Sequence, residues 1–262
     1  MSDILVLGYH GISENWSSPL VVRPDCFERQ LELVRGRGYQ AVTFERAMTD
    51  PPPGPCVAIT FDDAYRSVFE LALPIMRRLE MPGTVYVPTD YAGSERAMRW
   101  AGIAQMVGTV DESELTPMSW DELGQLDDAG WEIGSHTCSH PHLTRIDRGC
   151  LVEELERSRT RCEQELGRPC RTVAYPYGDV DHRVIEATRN AGYCAGASIV
   201  PVPVRPFSVF SWPRTGVYRN DDERRFLFKI TPYGRRLHAS DAWSRLSRAR
   251  AALRGERAGG LV

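Results

Sequence analysis

The sequence predicts an α/β protein built on a parallel sheet or barrel. Short apolar runs recur along the 262-residue chain, and segments with helical periodicity separate most of them. Alternation of strand and helix is the repeating unit of parallel sheets and barrels. With 42% hydrophobic residues, the chain is long enough to bury one sizeable core. The predicted strands are residues 4–9, 40–43, 56–61, 83–88, 131–134, 172–175 and 193–199.

Helices are predicted between these strands from apolar spacing and from start and stop signals. They lie between residues 27 and 38, from 68 to 79, from 119 to 130, from 151 to 166 and from 181 to 191. The second is marked by apolar residues at helical spacing, namely Val68, Leu71, Ile75 and Leu79. The third begins at Ser119, which forms a capping-box pattern with Glu122 three residues later.

Two segments fall outside this alternation. Residues 91–118 show no clean period, and in a barrel they follow a strand on the face where active sites form. They are either a substrate lid or a structural excursion. Beyond residue 221 the chain is rich in arginine, and one helical face there is apolar, carrying Trp243, Leu246, Ala249 and Leu253. That face suits a partner helix, an anionic membrane surface or a solvated terminal helix.

Composition and charge exclude several classes of protein. The formal net charge of −3 leaves no overall basic footprint for nucleic acid. No apolar run approaches the roughly 18 residues of a membrane span, and the N-terminus lacks the pattern of a signal peptide. We therefore expect a cytoplasmic protein without a membrane span. The seven cysteines form no C-x-x-C pair, and most are expected to be reduced.

Acidic and imidazole side chains follow two of the predicted strands. Asp62 and Asp63 close one apolar run, and His136 and His140 follow another. Both pairs fall on the same rim of a parallel barrel, and two histidines four residues apart can bind one cation. A catalytic divalent metal needs three protein ligands, an open position and a free carboxylate that deprotonates water. These four residues supply that set of groups.

A third candidate motif, Tyr-Pro-Tyr-Gly-Asp at 175–179, directly follows another predicted strand. Proline fixes the direction of the chain, and glycine permits a close backbone approach. A backbone N–H here can face a developing oxyanion, or the segment is a tight turn whose Asp179 or Asp181 caps the next helix. We favour a functional role because the segment falls on the same rim.

Together the three motifs resemble the polysaccharide deacetylases of carbohydrate esterase family four, which share the NodB homology domain. The matching sequences are Thr-Phe-Asp-Asp at 60–63, His-Thr-Cys-Ser-His at 136–140 and Tyr-Pro-Tyr-Gly at 175–178. The resemblance extends from about residue 9 to residue 214 and implies a distorted (β/α)7-type barrel. We expect residues 1–220 to form the catalytic domain and residues 221–262 an arginine-rich helical extension.

The resemblance also implies an activity and a set of roles. Its members hydrolyse acetyl groups on sugars, so the chain is expected to be a metal-dependent carbohydrate deacetylase that cleaves a linear amide on an acetylated sugar or oligosaccharide. Carried over by position, Asp62 is the general base. Asp63, His136 and His140 bind Zn²⁺ or another divalent ion such as Co²⁺, Ni²⁺ or Mn²⁺, and the backbone amide of Tyr177 stabilises the oxyanion.

Two family features are missing, and two other residues are candidates in their place. The arginine that many members carry before the proline of the third motif is absent, and His238 matches the late histidine acid poorly because Arg235 precedes it where leucine is usual. Arg214 follows an apolar run and is expected to orient Asp62. His10, at the end of the first strand, is a candidate acid or a structural histidine. Both resemble the branch that acts on poly-N-acetylglucosamine.

Two other functions remain open on the sequence. A metal-dependent amidohydrolase of the same fold, acting on a non-sugar amide, is compatible with the missing late motifs. A glycan-binding pseudoenzyme is also compatible, although retention of Asp62 beside three ligand candidates speaks against it.

Overall fold

The computed structural model of the chain describes residues 3–199, 204 and 206–238. Within those residues the strands are β1 (Ile4–Tyr9), β2 (Gln40–Val42), β3 (Cys56–Phe61), β4 (Thr84–Val87), β5 (Glu132–Ser135), β6 (Thr172–Ala174), β7 (Ala195–Ile199) and β8 (Trp212–Gly216). The α-helices are α1 (Pro24–Gly36), α2 (Phe44–Thr49), α3 (Leu73–Arg78), α4 (Trp120–Asp128), α5 (Arg148–Leu166), α6 (His182–Asn190), α7 (Glu223–Ile230) and α8 (Pro232–His238).

Seven of these strands close a parallel barrel in the order β1, β3, β4, β5, β6, β7, β8. β1 closes the ring, because it pairs with β3 on one edge and with β8 on the other. β2 is an extra strand outside the ring. It pairs with the first half of β3, and β4 pairs with the second half along the same edge of that strand. The predicted distorted seven-stranded (β/α) barrel is therefore confirmed.

Side chains alternate between the outside and the inside of the barrel along each strand. On β3, Val57, Ile59 and Phe61 pack outward against the helices. Ala58 belongs to a separate inner cluster, and Thr60 hydrogen-bonds Arg214 inside the barrel. Small residues dominate the inner cluster, including Ala58, Ala174, Ala195 and Ala197. They leave room in the barrel for one large polar side chain, that of Arg214, which is only 1% exposed.

Two elements were absent from the sequence prediction. β8 contains Pro213 and follows a proline-rich stretch, which weakens the strand signal. α2 has only six residues, too few to show a period, and it begins at the N-cap Thr43, whose side chain accepts a hydrogen bond from the Arg46 amide.

The helix predicted from residue 68 to residue 79 buries Val68 and Ile75 as expected, but not Leu71. It begins with a π-helical turn, Val68–Ala72, in which Leu73 N–H bonds the Val68 carbonyl, and then continues as α3. Each π turn takes up more residues than an α turn. The buried face therefore passes through Ala72 and Met76, whereas Leu71 is 37% exposed.

The segment after β8 packs onto the barrel through α7. Phe226 and Ile230 of α7 are buried in the main core, and the side chain of Arg29 on α1 pairs with Glu223. The proposed boundary at residues 220 and 221 lies between β8 and α7. The apolar face predicted at residues 243–253 lies outside the described residues. Among the helices that are described, none is both long and apolar enough to cross a bilayer.

Candidate active site

The site lies at the rim formed by the carboxyl ends of the strands, where the connections of a (β/α) barrel build active sites. Asp62 and Asp63 follow β3, His136 follows β5, and Tyr177 follows β6. One pocket is lined by all seven residues proposed from the sequence, namely His10, Asp62, Asp63, His136, His140, Tyr177 and Arg214. Residues separated by up to 204 positions in the chain therefore meet in one place.

Asp62 is held by Arg214 in a buried, two-pronged ion pair. Arg214 Nη1 lies 2.6 Å from Asp62 Oδ1, and Nη2 lies 2.8 Å from Oδ2. The guanidinium also donates to Thr60 Oγ1 and to the Ser198 carbonyl. Burial alone would raise the pKa of Asp62. The charge and hydrogen bonds of Arg214, together with the neighbouring His136 and His10, outweigh burial and hold that pKa well below its usual range. Asp62 is therefore ionised and fixed in orientation.

Asp63 lies in the opposite electrostatic situation. Its Oδ1 is 3.5 Å from His136 Nε2 and 3.4 Å from His140 Nε2, and none of these residues is more than 6% exposed. Among the described residues, Oδ1 has no hydrogen-bond partner. Burial, and then the negative charge of Asp62, raise the pKa of Asp63 well above its ordinary value. This carboxylate lacks the positive partner that Asp62 has.

Both histidines beside Asp63 are neutral imidazoles. His136 Nδ1 lies 2.8 Å from the Ala174 carbonyl, which can only accept, so Nδ1 carries the hydrogen and the lone pair of Nε2 faces Asp63. Burial lowers the pKa of His136. Burial, and then the neighbouring His136, lower the pKa of His140 well below its ordinary value. A neutral imidazole is the form that binds metal ions.

The Asp63, His136 and His140 side chains fit a divalent metal ion. Their three ligand atoms lie within 4.8 Å of one another. Ligands about 2.0–2.1 Å from a tetrahedral ion are about 3.4 Å apart, which matches the separations of Asp63 Oδ1 from both histidines. A cation here would also compensate the buried carboxylate.

Several site residues have left-handed backbone conformations, which are uncommon for residues other than glycine. The φ angles are 71° at Asp63, 51° at Ala64, 66° at Thr137, 62° at His140 and 59° at Tyr177. Such conformations cost free energy and persist only where surrounding contacts enforce them. The turns after three different strands are thus shaped to present these side chains or amides to the pocket.

Tyr177, in the turn after β6, lines the pocket. Residues Pro176–Gly178 form a single 3₁₀ turn, and the first amides of such a turn have no acceptor within it. Gly178 has φ of +65°, and a Cβ there would lie 2.6 Å from Ile199 Cγ2. The turn therefore requires glycine. It also serves the next helix, since Asp181 caps α6 through the Val184 amide.

His10 lines the same pocket from the end of β1 and is 7% exposed. Burial lowers its pKa to about 4, although the charge of Asp62 opposes the change. Its Nδ1 atom has no hydrogen-bond partner within the described part of the chain. His10 is therefore a neutral imidazole in the resting protein.

The structure adds residues to the site that the sequence did not single out. The Trp100 ring stacks on His140 with centroids 4.2 Å apart, and residues 100–103 wall the pocket. Their place in the irregular segment 91–118 was the only available signal. The His142 ring stacks on Tyr177 at 3.9 Å. Its position in the sequence, two residues beyond His140, does not predict that it contacts Tyr177.

A parallel barrel whose strand ends carry an Asp-His-His cluster and a second, clamped carboxylate defines a candidate metal-dependent hydrolase. The profile of the polysaccharide deacetylase family matches residues 49–196, which include Asp62, Asp63, His136, His140 and Tyr177. The chain belongs to that family. His10 and Arg214 lie outside the matched segment.

Individual relatives are more distant. The Bacillus subtilis (strain 168) protein YxkH is 25% identical over 201 residues, covering 75% of this chain and 64% of that protein. The poly-β-1,6-N-acetyl-D-glucosamine N-deacetylase of Staphylococcus aureus (strain MRSA252) is 23% identical over 195 residues, covering 70% and 62%. The chain thus spans less than two thirds of the length of these curated relatives.

A solved structure shares the fold. BC0361, a polysaccharide deacetylase from Bacillus cereus, superposes with a TM-score of 0.71 at 24% identity, covering 88% of this chain and 69% of that one.

Proposed function

We propose that this chain is a metal-dependent carbohydrate deacetylase that hydrolyses the N-acetyl amide of an acetylated sugar, either a glycan or a glycan precursor. One observation carries the proposal. Two consecutive carboxylates are set in opposite environments, Asp62 clamped by Arg214 and Asp63 facing two neutral histidines. That division separates a proton acceptor from a metal ligand, which metal-assisted amide hydrolysis requires.

Asp63, His136 and His140 would hold the divalent ion. A carboxylate with two imidazoles favours Zn²⁺, and the same donors accept Co²⁺, Ni²⁺ or Mn²⁺. When bound, such an ion acts as a Lewis acid toward the substrate carbonyl and lowers the pKa of water. The neutral state of both histidines is what prepares this chain for the ion, because a protonated imidazole would repel it.

Asp62 is proposed as the general base. Arg214 bonds both of its oxygens, so the carboxylate plane is fixed, and each oxygen keeps a further lone pair that can accept a proton from the attacking water. The Tyr177 backbone N–H is proposed to donate to the oxyanion that develops on the acetyl oxygen. His10 is proposed to take up the proton that Asp62 removes from the water and to pass it to the departing amine, since its resting imidazole is neutral.

The substrate class rests on the relatives and on the shape of the pocket. Several curated relatives are poly-β-1,6-N-acetyl-D-glucosamine N-deacetylases, and we propose an N-acetylated sugar for this chain by that likeness. Aromatic and aliphatic side chains, including Trp100, Leu20 and Ile199, line the pocket beside the polar groups. Residues 91–118 are proposed to act as a wall or lid over the bound sugar.

The test measures metal content and acetate release from short N-acetylglucosamine oligomers for the wild type and for Asp62→Asn. We expect bound metal in both proteins and acetate from the wild type alone. The exposed-site variant Asp50→Asn is a matched control and should release acetate normally. Turnover of only small non-sugar amides by the wild type would redirect the assignment to an amidohydrolase. Tight glycan binding without acetate release in added metal would instead indicate a pseudoenzyme.

A further inference from the structure

The turn that carries the second histidine is held from outside the barrel by α5. This turn comprises residues 137–140, and both Thr137 and His140 have left-handed φ angles, 66° and 62°. Within the turn, the Thr137 side chain accepts a hydrogen bond from the His140 amide at 3.2 Å. One internal bond is little restraint for a turn with two disfavoured residues, so contacts from elsewhere have to stabilise it.

The Thr89 and Asp90 amides donate to the Thr137 and Cys138 carbonyls, at 3.1 and 3.0 Å, and Glu154 of α5 supplies the side-chain contacts. Its Oε2 accepts hydrogen bonds from the amides of Cys138, at 2.7 Å, and Ser139, at 3.0 Å. Its Oε1 accepts a bond from Ser139 Oγ at 2.6 Å. One half-buried carboxylate therefore receives three donors from two of the three residues that lie between His136 and His140. Hydrogen bonds to an ionised acceptor are about twice as strong as neutral ones.

Neighbouring residues of α5 fix the helix against both sides of the same turn. Ser158 Oγ lies 2.8 Å from Ser135 Oγ, directly before His136. Arg157 donates to Cys138 Sγ at 3.2 Å and to both oxygens of Asp90, at 2.9 and 2.8 Å. These contacts set the position of α5 relative to β5. Glu154 is therefore carried on a helix that contacts both sides of this turn.

We infer that Glu154 is a positioning residue for the metal centre: by accepting the Cys138 and Ser139 amides it fixes the turn that sets His140 against His136 and Asp63. Glu154 lies on the outer side of that turn, so it acts through the turn. The inference rests on the proposed function, because it takes these three residues to be metal ligands. It adds an element, α5, that none of the three sequence motifs contains.

Substitution by glutamine isolates the role of the carboxylate. Glu154→Gln keeps the side-chain length, but one acceptor oxygen becomes an NH₂ donor that faces N–H or O–H donors. The bonds from the Cys138 and Ser139 amides then go to a neutral oxygen and lose the strengthening that the charge gives. The contact with Ser139 Oγ survives only if that hydroxyl reverses and accepts from the new NH₂ group. Glu154→Asp is a second variant, which keeps the charge and withdraws both oxygens by one methylene. The exposed Glu156, two residues further along α5, gives the charge-matched control Glu156→Gln.

The experiment is a Co²⁺ titration of metal-free protein followed by visible absorption, with far-UV circular dichroism as a check of folding. Partners that orient metal ligands typically contribute roughly 10–100-fold to metal affinity. We expect Glu154→Gln to weaken Co²⁺ binding by about that factor and to alter the ligand-field bands. Glu154→Asp should weaken it less, and Glu156→Gln should match the wild type.

Three outcomes separate the possibilities. Wild-type affinity and spectrum in a folded Glu154→Gln or Glu154→Asp variant would overturn the role of Glu154 while leaving the metal centre in place. Failure of the wild type to bind Co²⁺ would overturn the proposed metal centre and this inference with it. Equal weakening in Glu156→Gln would show a general effect of charge and would also overturn the inference.

Discussion

The contrast between Asp62 and Asp63 originates in a single residue, Arg214. Adjacent buried carboxylates repel each other, and with no cation nearby both would be driven toward protonation. Arg214 neutralises only Asp62, because its two N–H groups meet both Asp62 oxygens. Asp63 has no such cation beside it and faces His136 and His140 instead. One guanidinium on β8 thus separates the proposed roles of two neighbouring residues that directly follow β3.

Arg214→Lys tests this division. Lysine keeps a positive charge but cannot make the two parallel bonds to Asp62, so the carboxylate loses its fixed orientation. We expect kcat to fall on the order of 10²-fold with metal content unchanged. The pKa of Asp62 should rise, so activity should be lost at a higher pH on the acidic side than in the wild type. The pH–rate profile and metal analysis check both expectations, and an unchanged kcat would remove Arg214 from the mechanism.

Gly178→Ala tests the turn that is proposed to present the Tyr177 amide. The added methyl group would lie 2.6 Å from Ile199 Cγ2, so the turn has to move. A displacement near 1 Å at a reacting centre can cost on the order of 10²-fold in rate. We expect that loss in kcat without loss of metal. Gly108→Ala is the matched control, since Gly108 also has a positive φ, of +82°, but a Cβ there meets no atom within 4 Å. Equal losses in both variants would contradict the argument.

The sequence identified the residues of the pocket better than it identified their supports. Asp62, Asp63, His136 and His140 could be found because each follows an apolar run, and strand ends of a parallel barrel share a rim. Glu154 could not be found, because it lies in an ordinary amphipathic helix and its partners are 15 and 16 residues away in the chain. Contacts of that kind depend on packing rather than on a local pattern.

At the scale of elements, strand ends opposite the active site are tied together by Glu132. This residue begins β5, and its carboxylate accepts hydrogen bonds from the Glu45 amide, at 2.7 Å, and from the hydroxyls of Thr84, at 3.0 Å, and Thr172. It therefore links α2, β4, β5 and β6. Burial raises the pKa of Glu132 to about 7, even though these hydrogen bonds favour the ionised form.

Glu132 predicts a pH dependence of stability. Between its ordinary pKa of 4.5 and its folded value of about 7, Glu132 is protonated in the folded protein and ionised in the unfolded chain. The folded state then binds more protons, so the contribution of Glu132 to the free energy of unfolding is largest below pH 4.5 and falls as the pH rises through this window. The change should be on the order of 2 kcal/mol.

Urea unfolding at pH 5 and pH 8 measures this contribution. The stability difference between the two pH values should shrink in Glu132→Gln, which does not titrate, and should stay as in the wild type in the exposed-site control Glu156→Gln. A pH dependence in Glu132→Gln equal to that of the wild type would contradict the assignment.

Elements were predicted where their signal was local and strong. The ends of α4 matched because the Ser119 and Glu122 capping box forms as its sequence indicates. Val68 and Ile75 matched the predicted buried face, but Leu71 did not, because the π turn at Val68–Ala72 takes up residues that no period in the sequence indicates. β8 was missed for a related reason: its place in the sheet depends on barrel closure with β1, which is a long-range pairing.

At the scale of the whole molecule, the site stores a destabilising charge that a metal ion would neutralise. Asp63 is 2% exposed, and its pKa is raised by burial and by Asp62. Near neutral pH the metal-free fold therefore carries a cost that the unfolded chain, with Asp63 in water, does not. A ligand that binds only the folded state adds RT ln(1 + [L]/Kd) to stability, about 2.7 kcal/mol at a hundredfold excess over Kd.

The substitution Asp63→Asn should therefore stabilise the metal-free protein relative to the wild type, but should leave it less stable than the wild type when metal is added. In chelator at pH 8 we expect Asp63→Asn to melt at a higher temperature than the wild type, because a neutral amide avoids the cost of the buried acid. In excess Zn²⁺ the wild type should gain about 5–10 °C, while Asp63→Asn should gain little because one ligand is lost. Calorimetry of both proteins under both conditions measures this change in the order of their melting temperatures, with Asp50→Asn as an exposed-site control. If Asp63→Asn melts below the wild type in chelator, the buried Asp63 carboxylate stabilises the metal-free fold, which contradicts the argument. If both proteins gain equally with Zn²⁺, the ion binds elsewhere.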